Sequence, residues 1–436
     1  MKMIKTGDTL TLGVTGTNIF ARGIARVDGM VVFCRGAVEG DTVTAVVTDV
    51  KKNYAEADCV SIVKPSPYRI SPVCPHADEC GGCVFSHATR EHEAAVKRRA
   101  VADAFRREGI RISADAVSFV DTAGEGYRNK AVFHFDDDGN IGFFADGTRD
   151  FVRIENCSAV HPAINEIAHR AETILREDGV TPSELTYLYI RYMKETDEAS
   201  LALGYTGKAS LLPFAKKIAA ADSRVACVVR GRAGSPESRD ERFEKLLGKD
   251  GVGAVVGGIS FDVPPASFFQ VNTEGAEALI FAVKKYAGLK QGERLADVYC
   301  GAGLFALSIA KDAPGAEVYG IEINRAAVSA ANGTASKNGI ENAYFVAGDS
   351  SELKAKTGVD KFDVAVVDPP RSGLSKKTAD ELLSLSPHRI VYVSCNPSTL
   401  ARDVKLLSGK YSLDGITAVN MFPRTKHCEV IALLTR

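Results

Sequence analysis

Short alternating runs of apolar and polar residues fill the first 63 positions of the chain. Stretches such as "GMVVFCRGAV" and "DTVTAVVTDV" are separated by Gly, Asp and Asn, which is the pattern of half-buried strands joined by tight turns. Several strands in so short a span predict a small closed β-barrel of the OB type, a frequent RNA-binding module. A generic β-domain fits the same pattern equally well.

The segment from residue 64 to residue 265 has a mixed pattern and predicts a central α+β domain. A proline-rich linker is followed by "SHATREHEAAVKRRAVADAFRRE" (86–108), a helical pattern that Gly109 ends. The cations of this helix either lie on a solvated face, which their pattern favours, or contact phosphates; they are Lys97, Arg98, Arg99, Arg106 and Arg107. "YRNKAVFHF" and "NIGFFA" flank "DDDG", a hairpin signal, and "DFVRIENC" adds a third predicted strand.

Short apolar strands then alternate with helical patterns through residues 266–436. The strands are "RLADVY", "EVYGIEI", "AYFVAG", "FDVAVVD" and "RIVYVSC", and helical patterns such as "NRAAVSAANGTASKNG" separate them. This alternation predicts a doubly wound, Rossmann-like parallel sheet. The chain is therefore expected to form three domains, at 1–63, 64–265 and 266–436.

Composition and charge change this picture in only two respects. The net charge of −1 does not indicate a strongly basic nucleic-acid footprint, so any such surface must be local. No stretch is apolar and long enough for a signal peptide or a membrane helix, and we expect a cytoplasmic protein with a monomer as the default state. Ten cysteines in a reducing compartment then favour metal binding or catalysis over disulfides.

A glycine loop follows the first strand of the predicted parallel sheet. "ADVYCGAGLF" places Gly301 and Gly303 between a strand and a helix, where glycine permits a tight turn and close approach to a ligand. Glu322 ends the next strand, where a carboxylate accepts hydrogen bonds from ribose hydroxyls, and Asp349 ends the third. The loop and two acids suit S-adenosylmethionine or a nucleotide.

Several chemically active residues are expected at the same rim of this sheet. Asp368 ends the fourth strand and Cys395 the fifth, in "VYVSCNPSTLARD". The carboxyl ends of parallel strands share one edge, which is where ligands bind. If the final strand, "CEVIALLTR", returns antiparallel, its early residue Glu429 also lies on that rim, near Cys395. A structural role for Cys395 as a small buried side chain at a strand end is the alternative.

A thiolate at this position suggests nucleophilic chemistry on a pyrimidine. A cysteine thiolate is a strong nucleophile and can add to C6 of uracil. The addition turns C5 into a carbon nucleophile that takes the methyl group of S-adenosylmethionine. A base must then remove the C5 proton so that the thiolate can leave, and Glu429 is the candidate.

On these motifs the sequence resembles the RNA uracil-C5 methyltransferases, and within them the 23S ribosomal RNA branch. The matching segments are "PASFFQVN" (265–272), "DVYCGAGLF" (297–305), "GIEIN" (320–324), "VVDPPRSGL" (366–374), "VSCNPSTLARD" (393–403) and "HCEVIALL" (427–434). The first 63 residues look like that family's TRAM domain, so the resemblance spans the whole chain. Leu304 departs from relatives that carry Asn there.

The resemblance implies roles for individual residues. Cys395 would be the nucleophile and Glu429 the base, and Phe268 would help to pack the target base. Positions that hold S-adenosylmethionine or the reaction centre fall on Gln270, Tyr299, Gly301, Gly303, Glu322, Asp349 and Asp368.

A separate group of cysteines indicates a metal site. Cys74, Cys80 and Cys83 have the spacing C-x5-C-x2-C, and Cys157 is a plausible fourth ligand. Four thiolates hold either zinc or an iron–sulfur cluster, and the spacing does not choose between them; on the residues alone zinc is slightly favoured. The resemblance instead implies a [4Fe–4S] cluster, because the ribosomal branch carries one at these positions.

Four functions therefore compete. Methylation of uridine C5 in 23S rRNA is the leading hypothesis, with a transfer RNA uridine as the alternative substrate. An amino-methyltransferase is suggested by "DPPR", but its chemistry needs no thiol. An oxidoreductase with a dinucleotide conflicts with the incomplete glycine fingerprint. An RNA-binding protein without catalysis predicts that Cys395 is dispensable.

Overall fold

The structure is a computed structural model, which describes residues 4–232, 234–236, 241–265 and 267–436. Residues 1–3, where the predicted first domain begins, and Ala266, where the predicted third domain begins, lie outside the described residues. The described strands form sheets of six, seven, two and eight strands.

The six-stranded sheet occupies the N-terminal segment in the order β1-β5-β6-β4-β3-β2. Its strands are β1 (Thr9–Gly13), β2 (Gly16–Thr17), β3 (Gly23–Val27), β4 (Met30–Arg35), β5 (Thr42–Val50) and β6 (Tyr54–Lys64). Every second side chain of β5 is buried from Val43 to Val47, because successive side chains of a strand point to opposite faces. The predicted β-segment is confirmed, and its closure into an OB-type barrel stays a prediction.

The seven-stranded sheet is formed by the middle segment of the chain, in the order β10-β9-β8-β11-β12-β13-β14. Its strands are β8 (Lys130–Phe135), β9 (Ile141–Phe144), β10 (Phe151–Arg153), β11 (Leu185–Met193), β12 (Glu198–Tyr205), β13 (Val225–Gly231) and β14 (Glu244–Gly248). The predicted hairpin is confirmed by the antiparallel pairing of β8 with β9. Two helices pack on this sheet, α3 (Pro162–Glu177) and α4 (Leu212–Ala221), and a separate hairpin follows, β15 (Val252–Val256) and β16 (Ile259–Val263).

The eight-stranded sheet contains the predicted doubly wound fold. Its C-terminal strands are β17 (Arg294–Val298), β18 (Glu317–Glu322), β19 (Ala343–Ala347), β20 (Val364–Val367), β21 (Arg389–Ser394), β22 (Ser412–Val419) and β23 (Glu429–Thr435). Their helices are α5 (Thr273–Ala287), α6 (Leu304–Asp312), α7 (Arg325–Lys337), α8 (Leu353–Thr357), α9 (Lys376–Leu385) and α10 (Pro397–Leu407). Apolar clusters cover both faces, as parallel sheets require.

The order of this sheet is β19-β18-β17-β20-β21-β23-β22-β7. The order in which successive strands are added reverses at β17, which pairs in parallel with β18 on one side and with β20 on the other. In open α/β sheets this reversal creates the crevice in which ligands bind. The loops after β17, β18, β20 and β21 therefore surround one crevice.

The eighth strand comes from the middle of the chain. β7 (Ser118–Val120) pairs in parallel with β22, and the preceding helix α2 (Arg90–Arg107) packs on α10. Strand β7 and helix α2, which we placed in the central domain, thus join and pack on the C-terminal sheet. The short helix α1 (Ala77–Cys80) precedes them.

Helix α2 also differs from its prediction in two ways. It begins at Arg90 and not near residue 86, because the Thr89 hydroxyl caps it by accepting a hydrogen bond from the His92 amide. Lys97, predicted on a solvated face, is fully buried and pairs with Glu93, with 2.8 Å between Nζ and Oε1.

Among the described residues no helix combines the length and the apolar character that crossing a membrane requires.

Candidate active site

Cys395 lies at the junction between strand β21 and helix α10. Strand β21 ends at Ser394, and Asn396 caps α10 by accepting a hydrogen bond from the Ser398 amide at 3.1 Å. The thiol is therefore held in a short turn at the carboxyl edge of the sheet, half-buried. The backbone is held by strand β21 before Cys395 and by helix α10 after it.

Glu429 reaches the same edge through antiparallel pairing. β23 runs antiparallel to β21, with Ser394 opposite Val430, and antiparallel to β22, with Val419 opposite Glu429. The residues that extend this register, Cys395 and Glu429, are therefore neighbours although 34 positions separate them in the sequence. The prediction that the final strand runs antiparallel beside its neighbour, and so brings Glu429 near Cys395, is confirmed.

Charged groups around Cys395 act in opposite directions. Burial raises the pKa of the Cys395 thiol, the Glu429 carboxylate raises it further, and a hydrogen bond with the Arg371 side chain lowers it. Burial raises the pKa of Glu429 to about 8, helped by the Asp368 carboxylate and opposed by Arg371. Burial alone raises the pKa of Asp368 to about 7. Perturbed acids that converge in a crevice are typical of active sites.

Arg371 was not singled out from the sequence, although it closes the "DPPR" motif. A hydrogen bond with its side chain lowers the pKa of Cys395, and its positive charge lowers the pKa of Glu429. The signal that could have identified it is its position, three residues after Asp368 at the end of a strand on the ligand-binding rim.

The loop after β17 turns through left-handed residues. The φ angles are 68° at Tyr299, 53° at Gly301 and 87° at Gly303. For a tyrosine this backbone costs on the order of 1–3 kcal/mol, and such strain concentrates at functional sites. The Gly301 amide donates to the Glu322 carboxylate at 3.2 Å, so the loop and the acid after β18 are in direct contact.

Asp349 completes this side of the crevice. Its neighbour Gly348 donates a backbone hydrogen bond to the Glu322 carbonyl at 3.0 Å, which brings the ends of β18 and β19 together. The Asp349 side chain is exposed and accepts hydrogen bonds from the Ser351 amide and hydroxyl. Two carboxylates beside a glycine loop provide acceptors for ribose and amino groups, so these residues fit S-adenosylmethionine.

Asp297 is a second residue that sequence reasoning missed. It is fully buried in β17, and its Oδ2 accepts a hydrogen bond from the Ala306 amide at 3.0 Å. Burial raises its pKa to about 7. By accepting a hydrogen bond from the first turn of α6, the Asp297 carboxylate joins β17 to α6, the two elements that flank the glycine loop.

The segment that carries Phe268 and Gln270 is anchored to the central sheet. The Asn129 side-chain amide donates to the Gln270 carbonyl at 2.9 Å, and the buried Arg191 donates to the Ser267 carbonyl at 2.8 Å. Phe268 nevertheless leaves 89% of its surface exposed. A fixed backbone with an exposed ring suits a contact with a base.

The four predicted metal ligands come together in one cavity. Cys74, Cys80, Cys83 and Cys157 all line it. Burial raises the pKa of Cys83 to about 12, Cys157 adds to this, and Arg128 opposes it. Within the described ranges no three or more His, Cys, Asp or Glu side chains stand in metal-binding geometry. The structure therefore brings the four cysteines to one cavity without placing them in ligating geometry.

Comparison with known proteins identifies the family. The family model described as tRNA (Uracil-5-)-methyltransferase matches residues 97–436, and that of the TRAM domain matches residues 5–60. An uncharacterized RNA methyltransferase of Caldanaerobacter subterraneus is 31% identical over 100% of both chains. Another from Nostoc is 33% identical over 98% of this chain and 96% of its own.

Among solved structures, the Pyrococcus abyssi tRNA (uracil-54, C5)-methyltransferase in complex with S-adenosyl-L-homocysteine has a TM-score of 0.80. The two proteins are 26% identical, and the match covers 98% of this chain and 99% of the Pyrococcus abyssi chain. The chain therefore belongs to the tRNA (uracil-5-)-methyltransferase family, and it is an RNA (uracil-C5-)-methyltransferase that depends on S-adenosylmethionine.

Proposed function

We propose that this enzyme methylates C5 of a uridine in 23S ribosomal RNA through a covalent bond between Cys395 and uracil C6. The observation that supports the proposal most directly is the pairing of a half-buried thiol with a carboxyl group of raised pKa at one rim. The Arg371 side chain opposes the rise in the pKa of the Cys395 thiol that burial and Glu429 cause.

The residues act in sequence on the base. The Cys395 sulfur attacks C6, and the C5–C6 π electrons become available at C5. S-adenosylmethionine supplies the methyl group that C5 takes. The Glu429 carboxylate removes the C5 proton, the C5–C6 double bond re-forms and the C6–S bond breaks, which returns the thiolate. The base must leave its stack for this attack, and the exposed Phe268 ring is proposed to pack against it.

The remaining site residues are proposed to bind S-adenosylmethionine. Glu322 accepts the ribose hydroxyls in place of the Gly301 amide, and Asp349 lies beside the adenine. Gln270, Tyr299, Gly303 and Asp368 are proposed to contact the rest of the cofactor, and Asp368 is the one of them whose charge acts on Cys395. These assignments rest on the family resemblance and on the positions described above.

We further propose that Cys74, Cys80, Cys83 and Cys157 hold a [4Fe–4S] cluster. The support is the set of four thiols around one cavity and the family resemblance. The methylation is redox-neutral, so a cluster here would stabilise the fold. Anaerobically purified enzyme should be brown, and Cys80→Ser should remove the colour and lower Tm. Stoichiometric zinc without iron in the wild type would exclude the cluster.

The class of RNA is the finer part of the proposal. The cysteine set supports ribosomal RNA by resemblance, whereas the solved relative from Pyrococcus abyssi is named for a transfer RNA uridine. Mapping 5-methyluridine in ribosomal and transfer RNA from cells with and without the enzyme decides between them. Loss of the modification from transfer RNA alone would overturn the ribosomal assignment. The three domain boundaries, a monomeric state and a cytoplasmic location stay predictions.

A further inference from the structure

Phe20 is an exposed aromatic residue on a rigid loop of the N-terminal sheet. Its side chain leaves 53% of its surface exposed. The loop is nevertheless fixed, because the Asn18 side-chain oxygen accepts hydrogen bonds from the amides of both Phe20 and Arg22, each at 3.0 Å. The next residue, Ala21, has a left-handed φ of 55° and is buried. The ring is therefore held outward by its neighbours.

The cluster that buries Ala21 ties this loop to the rest of the enzyme. Its other buried members are Val38, Phe85, Ala88 and Val96, the last of which lies in α2. A hydrogen bond of 2.9 Å between the Thr17 hydroxyl and the His92 ring adds a polar link to α2. Since α2 packs on α10, the Phe20 loop has a defined position relative to the C-terminal sheet.

Lys426 brings the Phe20 ring close to the reaction rim. The Lys426 ammonium lies over the ring at 5.3 Å from its centroid. Lys426 precedes Glu429 by three residues, a span of at most about 11 Å along an extended chain. The backbone of Lys426 is therefore close to that of Glu429, and the Phe20 ring lies at the far end of the Lys426 side chain.

We propose that Phe20 and Lys426 form a second base-binding site, which stacks an unpaired nucleotide of the RNA strand that carries the methylated uridine. An aromatic face with a cation beside it accepts any base by stacking and attracts the neighbouring phosphate. The site assembles from the N-terminal sheet and from the loop before β23. It gives the N-terminal sheet a role in placing the substrate at the rim, and it rests on the reaction proposed for Cys395 and Glu429.

The alternative explanation is that Phe20 only packs against Lys426 within the protein. Two kinds of substitution separate these explanations. Phe20→Trp keeps an aromatic face, whereas Phe20→Leu keeps apolar bulk and loses the face. Phe281, which is 72% exposed on α5, provides a matched control when changed to alanine.

The test measures methyl transfer to unfractionated RNA from cells that lack the enzyme, with labelled S-adenosylmethionine. Base stacking on an aromatic side chain contributes about 5- to 150-fold in affinity. Phe20→Ala and Phe20→Leu should raise the apparent KM for RNA within that range, and Phe20→Trp should restore it. The affinity for S-adenosyl-L-homocysteine and the Tm should stay at wild-type values, and Phe281→Ala should behave as wild type.

An unchanged KM in Phe20→Ala, or full recovery in Phe20→Leu, would overturn the site. If the wild type transfers no methyl group to RNA, the proposed reaction fails instead. Fluorescence anisotropy with random-sequence single-stranded RNA then still tests Phe20, since stacking tolerates any base. Equal dissociation constants for the wild type and Phe20→Ala in that assay would exclude the site independently of catalysis.

Discussion

Cys395 and Glu429 illustrate how the surroundings of a residue define its proposed role. The Cys395 thiol is half-buried, and a hydrogen bond with the Arg371 side chain lowers its pKa against the effect of burial. The Glu429 carboxyl group is kept largely protonated near neutral pH by burial and by the Asp368 carboxylate. A carboxyl group whose pKa lies near the operating pH is well suited to general-base catalysis.

The two residues should block the reaction at different stages. Cys395→Ala should abolish methylation and leave no covalent RNA, because C5 is never activated. Glu429→Gln should allow addition and methyl transfer but slow proton removal by about 10²–10⁴, so that enzyme linked to methylated RNA accumulates. A denaturing gel with peptide mass analysis measures both. A link that maps to Cys300 or Cys428 would contradict the nucleophile assignment.

The pH dependence of the rate should follow the ionisation of Glu429. The base must be deprotonated, and its pKa is about 8, so kcat/KM should rise with pH through this region. The raised pKa of Cys395 acts in the same direction, because the thiolate is the nucleophile. Rates measured from about pH 6 to about pH 10 test this. A profile that is flat or falls with pH would show that neither group must lose a proton.

Glu429 should also destabilise the folded protein at pH values above the pKa that its carboxyl group has in the unfolded chain. The folded carboxyl group binds its proton more tightly than the unfolded one, since its pKa rises from 4.5 to about 8. Its contribution to stability is therefore lost as pH rises through this range. Glu429→Gln should have a higher Tm than the wild type near pH 8, with the difference shrinking toward pH 5. Equal Tm values at both pH values would contradict this.

At the scale of elements, helix α6 depends on a carboxylate from the strand before it. Asp297→Ala removes the acceptor for the Ala306 amide and should lower the free energy of unfolding by about 0.5–2 kcal/mol. The affinity for S-adenosyl-L-homocysteine should fall with it, because Gly301 and Gly303 join the two elements. Asp297→Asn keeps an acceptor and should retain more of both, as measured by calorimetry and thermal unfolding.

A carboxylate at the opposite end of the same helix provides the control. Asp312 is largely exposed and pairs with Lys284, so Asp312→Ala should change both quantities little. An effect of Asp312→Ala as large as that of Asp297→Ala would mean that the hydrogen bond from the Ala306 amide to Asp297 has no special role.

The elements differ in how far sequence could predict them. Strands β17, β20 and β21 are apolar runs buried on both faces, and their pattern is local. Strand β7 has only three residues, and its partner β22 begins nearly 300 positions later, so no local pattern marks it. Asp297 and Arg371 escaped notice for a related reason: the burial and the neighbours of a charged side chain are set by tertiary packing. Lys97 was assigned to the surface on its charge alone.

At the scale of the whole molecule, the N-terminal sheet should contribute to RNA binding but not to cofactor binding. Deleting residues 1–60 should weaken RNA binding, while the affinity for S-adenosyl-L-homocysteine stays nearly unchanged, because the proposed cofactor residues all follow residue 269. RNA affinity should fall as salt rises, since phosphate contacts release counterions. An unchanged RNA dissociation constant after the deletion would show that this sheet does not dock the substrate.

The pairing of β7 with β22 has a consequence for biosynthesis. Residue 120 leaves the ribosome 292 positions before residue 412, which at 5–20 residues per second is roughly 15 to 60 s. During this interval the apolar side chains of α2, among them Val101 and Phe105, have no C-terminal sheet to cover them. Conversely, a chain started at residue 266 would leave the β22 edge open to pairing with other chains. The nascent enzyme should therefore depend on chaperones until its last strands emerge, and its halves should aggregate when made separately.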